Sequence, residues 1–207
     1  MHHARLAAPG IQATPNNQQK FLGQLSLARA RAHEATGPAR RTFAMLLASA
    51  MQGPVFWVQP DWQPTRLHGP GMVRFADPGR FTFVRADRPI DILWVLEEVM
   101  RAGVVPLVVG DLPAPPGLTP VRRLHLAGEA GRDANGTGPI ALMLTPEGNS
   151  PGVESRWHMR PAHGPTPEHS GWRLTRNRAR MAPEQSWQIR QRGQRFFCEA
   201  PPLTPAG

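Results

Sequence analysis

A single cysteine, Cys198, is all the thiol in 207 residues. That excludes a disulfide framework and fits a reducing, cytoplasmic setting. No apolar run approaches the ~20 residues a spanning helix needs, so no membrane contact is expected. The segment from Met1 to Gly10 carries His2 and His3 but no long apolar stretch, unlike a secretory signal. Lysine is as scarce as cysteine: Lys20 is the only one among 24 Lys and Arg. It lies in NNQQKF, outside any glycine-rich loop, so nothing can serve as a P-loop lysine. No serine stands in a G-x-S-x-G setting, which removes the nucleophile elbow. His158, His163, His169 and Cys198 are spaced more loosely than the tight pairs of structural zinc sites. No metal, cofactor or catalytic thiol is therefore expected.

What is present is arginine, placed unevenly. Residues 1–41 carry six basic groups against Glu34, and residues 42–154 carry nine arginines against eleven acids. Residues 155–195 carry nine arginines against Glu168 and Glu184, about +7 of the formal +9. Such a field favours phosphate backbones or acidic protein surfaces. Proline (24) and glycine (20) punctuate short apolar runs, the mark of many short elements with rigid connections.

The periodicities give an order of elements. Residues 1–20 hold no apolar period and read as disordered; Phe21, Leu22, Leu25 and Ala28 suggest a short amphipathic turn or helix. His33–Gly37 reads as a strand, and Arg41–Met51 as a helix stopped by Gly53-Pro54. Val55–Val58 is an unbroken apolar run, as in a buried parallel strand. Pro60–Gly79 is loop-rich, with Trp62, Leu67 and Met72 as anchors. Phe81–Val84 is a strand, and Pro89–Arg101 a helix capped by Asp87 and ended by Gly103. Val104–Val109 is a strand, Pro120–Ala130 a helix capped by Thr119 and stopped by Gly131, and Ile140–Leu144 a strand. Ser155–Arg160, Trp172–Asn177 and Ser186–Arg190 follow without helices and read as antiparallel strands, with Trp157, Trp172 and Trp187 as their core. The expected fold is α/β: a mostly parallel sheet flanked by helices, with a C-terminal antiparallel extension. The expected divisions are a tail and short helix over 1–31, one domain over 32–195, and a flexible tail over 196–207.

This order resembles the RecA core. The strings HEATGPARRTFAMLLA, GPVFWV, DPGRFTFVRADRPIDILWVLEEVMRAG, PLVVGDL and LTPVRRLHLAGEAG resemble ImuA-type mutagenesis proteins, and more weakly SulA-related division inhibitors. The resemblance covers about residues 30–190. It implies a non-catalytic adaptor of a DNA-damage-induced translesion mutasome. The partners it implies are an ImuB-like inactive Y-family polymerase homologue, an error-prone replicative-type polymerase and the RecA filament. A SulA-like division inhibitor and a sequence-independent DNA-binding module are the alternatives.

The residues themselves speak on the nucleotide site. A Walker A loop needs G-x-x-x-x-G-K-[ST]; here Gly37, Pro38, Arg40, Arg41 and Thr42 occupy that place, with no second glycine and no lysine. Arg40 and Arg41 are expected to face solvent or a partner, with an anion at the helix N-terminus as the alternative. Asp111 stands where a Walker B carboxylate would, and is expected to shape the turn into Leu112-Pro113. Glu97 and Glu98 are expected on a solvated face, or in a salt link from Glu97 to Arg101. Contacts to DNA or a partner are assigned to Arg122 and Arg123 and to Arg156, Arg173, Arg176, Arg178 and Arg180. Strand alternation would put Arg176 and Arg178 on one side and Arg173 on the other.

Overall fold

The computed structural model describes residues 17–164, 170–180, 182–193 and 195–199. Of the residues 1–20 expected to be disordered, the first sixteen lie outside that set, as do His169 and the last eight residues, whereas Gln18–Lys20 are in a strand. The described residues open with β1 (Gln18–Phe21) and β2 (Leu25–Ala28), an antiparallel pair. Then come β3 (Arg31–Thr36), α1 (Arg40–Ser49), β4 (Val55–Pro60), α2 (Gly69–Met72) and β5 (Phe81–Ala86). The core continues with α3 (Pro89–Ala102), β6 (Leu107–Asp111), α4 (Leu118–Asn135) and β7 (Ile140–Leu144). The last four strands are β8 (Ser155–Pro161), β9 (Gly171–Ala179), β10 (Gln185–Arg192) and β11 (Arg195–Glu199).

Among the described residues, nine strands form one mixed sheet in the order β11-β10-β9-β8-β3-β7-β6-β4-β5. Its strands from β8 to β5 in that order are parallel, and β9, β10 and β11 run antiparallel. The expected α/β class and C-terminal antiparallel extension are what the structure has. One detail differs: β8 runs parallel to β3 and belongs to the core by direction. The segment from Thr145 to Glu154 carries the chain across β3 without a helix, its ends tied by Thr145 N–H to Ala35 O (3.1 Å) and Glu154 N–H to Ala32 O (2.9 Å).

Two apolar layers sandwich the sheet. One face packs on α1 and the β1–β2 hairpin, through Phe21, Leu27, Phe43, Leu47, Trp57 and Trp157. The other packs on α3 and α4, through Ile92, Leu96, Met100, Val108, Leu124 and Met143. The three late tryptophans lie in the first layer, as their alternation predicts.

Several local expectations change. Phe21–Ala28 is a hairpin, not a helix: Leu25 and Leu27 alternate inward, and Leu22 and Gly23 turn the chain with positive φ of 48° and 80°. Trp62 is exposed, whereas Met72 is buried and Leu67 packs on the core. Neither Asp87 nor Thr119 caps a helix; Arg88 and Gly117 hold those positions without a side-chain bond. The strand expected from Val104 starts at Leu107, and Val104 is exposed. Arg195–Glu199 is a strand paired with β10, so the sheet continues into the segment assigned to a tail.

Gly131 does not stop α4; Gly136, in the left-handed region, does. A Cβ on Gly131 would lie 2.1 Å from the Met100 carbonyl oxygen, so the glycine lets α4 meet the end of α3 backbone to backbone. Its role is contact, which a sequence reads as punctuation.

Candidate functional site

The turn between β3 and α1 is built from Gly37 to Arg41. Gly37 has φ +88°, and a Cβ there would sit 2.5 Å from Met159 O and 2.7 Å from His158 Cε1. The β8 main chain thus presses directly on the turn. Two of its amide donors are spent within the chain: Ala39 N–H donates to Met159 O (3.0 Å), and Arg40 N–H to Gly37 O (3.1 Å). A phosphate cradle needs such donors pointing outward. Pro38 is exposed, and Thr42 is half-buried in the first turn of α1.

Arg41 and Asp111 close the position. Arg41 meets Asp111 Oδ2 through Nη2 (2.6 Å) and Nε (2.7 Å), and the Asp111 side chain is only 1% exposed. Arg40 Nη2 lies 4.0 Å from the other carboxylate oxygen. The expectation that Arg40 and Arg41 face solvent is corrected: burial of Asp111 at the end of β6 demands a cation, and α1 delivers two. Asp111 in turn supplies the negative charge that the N-terminal end of α1 favours and that its own first turn lacks.

A second polar cluster lies across β3. Glu34 is fully buried and accepts from Thr145 Oγ1 (2.8 Å), Ser150 Oγ (2.6 Å) and Arg156 Nε (2.6 Å), and from the Ser150 amide (3.2 Å). Burial alone would raise this carboxyl's pKa; the bonds from Ser150, Arg156 and Thr145 outweigh it and hold the pKa below its ordinary value. Arg156, assigned above to DNA or a partner, is instead committed to Glu34 and to the Ser150 carbonyl (2.8 Å). On the opposite side of β3, His33 Nε2 donates to Ala28 O (2.9 Å). That leaves Nδ1 to accept from Ser155 Oγ (2.7 Å), which itself accepts from Trp157 Nε1 (2.7 Å). Burial pushes the His33 pKa down to about 4. Neither network is legible in sequence, because each joins residues more than 100 positions apart.

The late strands present two unlike faces. Arg160 pairs with Arg173, His158 with Thr175 and Arg156 with Arg178; paired residues share a face. In β10, Ser186, Gln188 and Arg190 lie opposite Thr175, Arg173 and Gly171, and so lie on that same face. Arg192 pairs with Arg195 and extends it. This is the side of the sheet that α3 and α4 cover further along. Trp157, Leu174, Trp187 and Ile189 point to the other side, into the core. A bulge sets this arrangement: Arg178 pairs with Arg156 and Arg176 with Trp157, leaving Asn177 as the extra residue. Alternation is broken there, so Arg178 joins Arg173, and Arg176 lies opposite both. The expected pairing of Arg176 with Arg178 is corrected. Arg176 sits over the Trp187 and Trp157 rings (5.2 and 5.7 Å) and donates to Pro183 O, a packing role. Arg180 is exposed beyond the end of β9, and its N–H donates to Glu154 O (3.3 Å).

On α4, Arg122 is exposed, while Arg123 reaches Glu97 (2.8 Å). Glu97 is buried rather than solvated and also accepts from Arg101. Beside this bridge, Ile90, Leu93, Trp94 and Pro120 line a groove of about 100 Å³ between α3 and α4. Ile90 is 55% and Trp94 59% exposed. Among the described residues no group of three His, Cys, Asp or Glu side chains could hold a metal ion. His158 bonds Thr36 on the basic face, His163 receives the Gly171 amide, and Cys198 lies by Gln24 on the apolar side, its thiol pKa raised by burial.

No family model matches the chain, and no curated protein is significantly similar to it.

Proposed function

We propose that the protein is a non-catalytic adaptor of a DNA-damage-induced translesion-synthesis mutasome, with a RecA-like fold that does not turn over ATP. The reading rests first on the Arg41–Asp111 ion pair. It fills, with the chain's own side chains, the place where a RecA-like ATPase would hold phosphate and magnesium. An arrangement stripped of its nucleotide keeps only its surfaces to work with.

The surface that suits a protein partner is the α3–α4 groove. Trp94 and Ile90 stand exposed over an apolar floor, and the Arg101–Glu97–Arg123 bridge borders them. An exposed aromatic anchor with a polar rim is the composition of a binding hot spot. The proposed occupant is the ImuB-like inactive Y-family polymerase homologue, through which the error-prone replicative-type polymerase and the RecA filament are reached. The test is co-purification of the protein with that homologue. Wild type is expected to retain it, and Trp94→Ala to weaken it by tenfold or more, about 1.4 kcal/mol or above. Failure of wild type to retain it overturns the adaptor reading; unchanged capture by Trp94→Ala moves the docking face off this groove.

A further inference from the structure

We infer that the face of β8–β11 on the α3–α4 side is a sequence-independent binding surface for single-stranded nucleic acid. It goes beyond the adaptor reading and does not depend on it.

The four strands contain eight arginines and one carboxylate, Glu199. The fold sorts them. Arg176 goes to the apolar side and Arg156 to Glu34. The remaining six, Arg160, Arg173, Arg178, Arg190, Arg192 and Arg195, share one face, and all are exposed. Glu199 offsets only Arg190 and Arg192, at 3.3 and 3.7 Å. Packing does not require this asymmetry, since the buried side of the same strands needs only one guanidinium. The cost of holding like charges side by side on neighbouring strands is recovered when a polyanion lies across them.

Between the arginines lie further donors and acceptors: His158, Thr175, Ser186 and Gln188. Neighbouring strands are ~4.8 Å apart, so the four span roughly 14 Å, wide enough for an extended strand and its bases. Phe197 is 39% exposed on this face, with the Arg192 guanidinium 5.5 Å from its ring centre, a platform for one base. A cleft of about 540 Å³, bordered by His163, Gly171, Gln188, Arg190 and Arg192, opens at the arginine-rich end. Only an unstacked base can enter such a cleft, and a duplex, a stiff cylinder, reaches few of the six arginines at once. These features select a single strand held by its phosphates, with no device for reading sequence.

The experiment measures affinity of the full chain for a fluorescent 30-mer of single-stranded DNA between 50 and 300 mM salt. The variant Arg160→Ser/Arg173→Ser/Arg178→Ser removes three charges from the face. A control, Arg66→Ser/Arg74→Ser/Arg88→Ser, removes three from exposed positions elsewhere. Circular dichroism and melting establish that both fold. The wild type is expected to bind two unrelated sequences within threefold. The face variant is expected to flatten the slope of log affinity against log salt by about 2, and the control by less than half of that. Equal flattening in the control overturns the proposal, because it reduces the effect to net charge. Tighter binding of a duplex, or equal binding of polyglutamate of matched length, overturns the single-strand assignment.

Discussion

His33 and Glu34 are neighbours on β3 that titrate in adjoining pH windows. The folded state holds His33 neutral, with its pKa near 4 against 6.5 for the free side chain. Below pH 6.5 the unfolded chain takes up a proton that the folded one refuses. Stability therefore falls as the pH drops from 6.5 and levels off below about 4, a loss of about 3 kcal/mol from this group. Glu34 follows at lower pH. Its folded pKa is depressed below 4.5, so its contribution is intact above that value and is lost as the pH falls through the folded pKa. Thermal melts from pH 8 to pH 3 should show both phases, and His33→Gln should remove the upper one while leaving the lower. At pH 7, Glu34→Ala should cost about 3–5 kcal/mol, because the half-buried Arg156 is left without its carboxylate; urea denaturation measures it. Arg41→Ala should likewise destabilise by strandings of the same kind at Asp111, and a loss below about 1 kcal/mol would mean that water replaces the guanidinium there.

At the scale of elements, α3 carries the parallel layer, and Leu96 is its fully buried centre. Leu96→Ala should cost about 2–5 kcal/mol in urea melts. Gly131→Ala should be at least as damaging as a core truncation, since its methyl meets the Met100 carbonyl of α3, and melting temperature is the readout. The three long helices and the parallel strands other than β8, which reads as antiparallel, were legible in the sequence, because most bury a periodic stripe or an apolar run. The β1–β2 hairpin was not: Phe21, Leu22 and Leu25 fit helical spacing as well as Leu25 and Leu27 fit strand spacing. Gly131 was misread for a different reason. A glycine that ends a helix and one that admits a neighbouring backbone look alike until the neighbour is placed. The site divided the same way. The absence of a P-loop lysine is visible in the string, whereas the Arg41–Asp111 pair spans 70 residues and needs β6 set beside α1. The late arginines were found by composition alone, and only the pairing of β8 with β9 and β3 showed that Arg156 and Arg176 are structural.

At the scale of the molecule, the sheet assigns its halves different work. The parallel half is covered on both faces, and the Arg41–Asp111 pair closes the turn between β3 and α1. Equilibrium dialysis with labelled ATP and magnesium should show no saturable uptake at micromolar to millimolar nucleotide; uptake in that range would mean the Arg41–Asp111 pair opens. The antiparallel half is covered on one face only and offers the other. The bulge at Asn177 is what keeps that offered face coherent, and it has a consequence for chain length. Removing Asn177 would leave Arg176 opposite Trp157 and Arg178 opposite Arg156, now as an ordinary pair, with every side chain still on its present side. Removing a residue from the regular stretch between Trp172 and Thr175 would instead turn half the strand inside out. The extension should therefore tolerate a one-residue deletion at Asn177 and no deletion in that regular stretch.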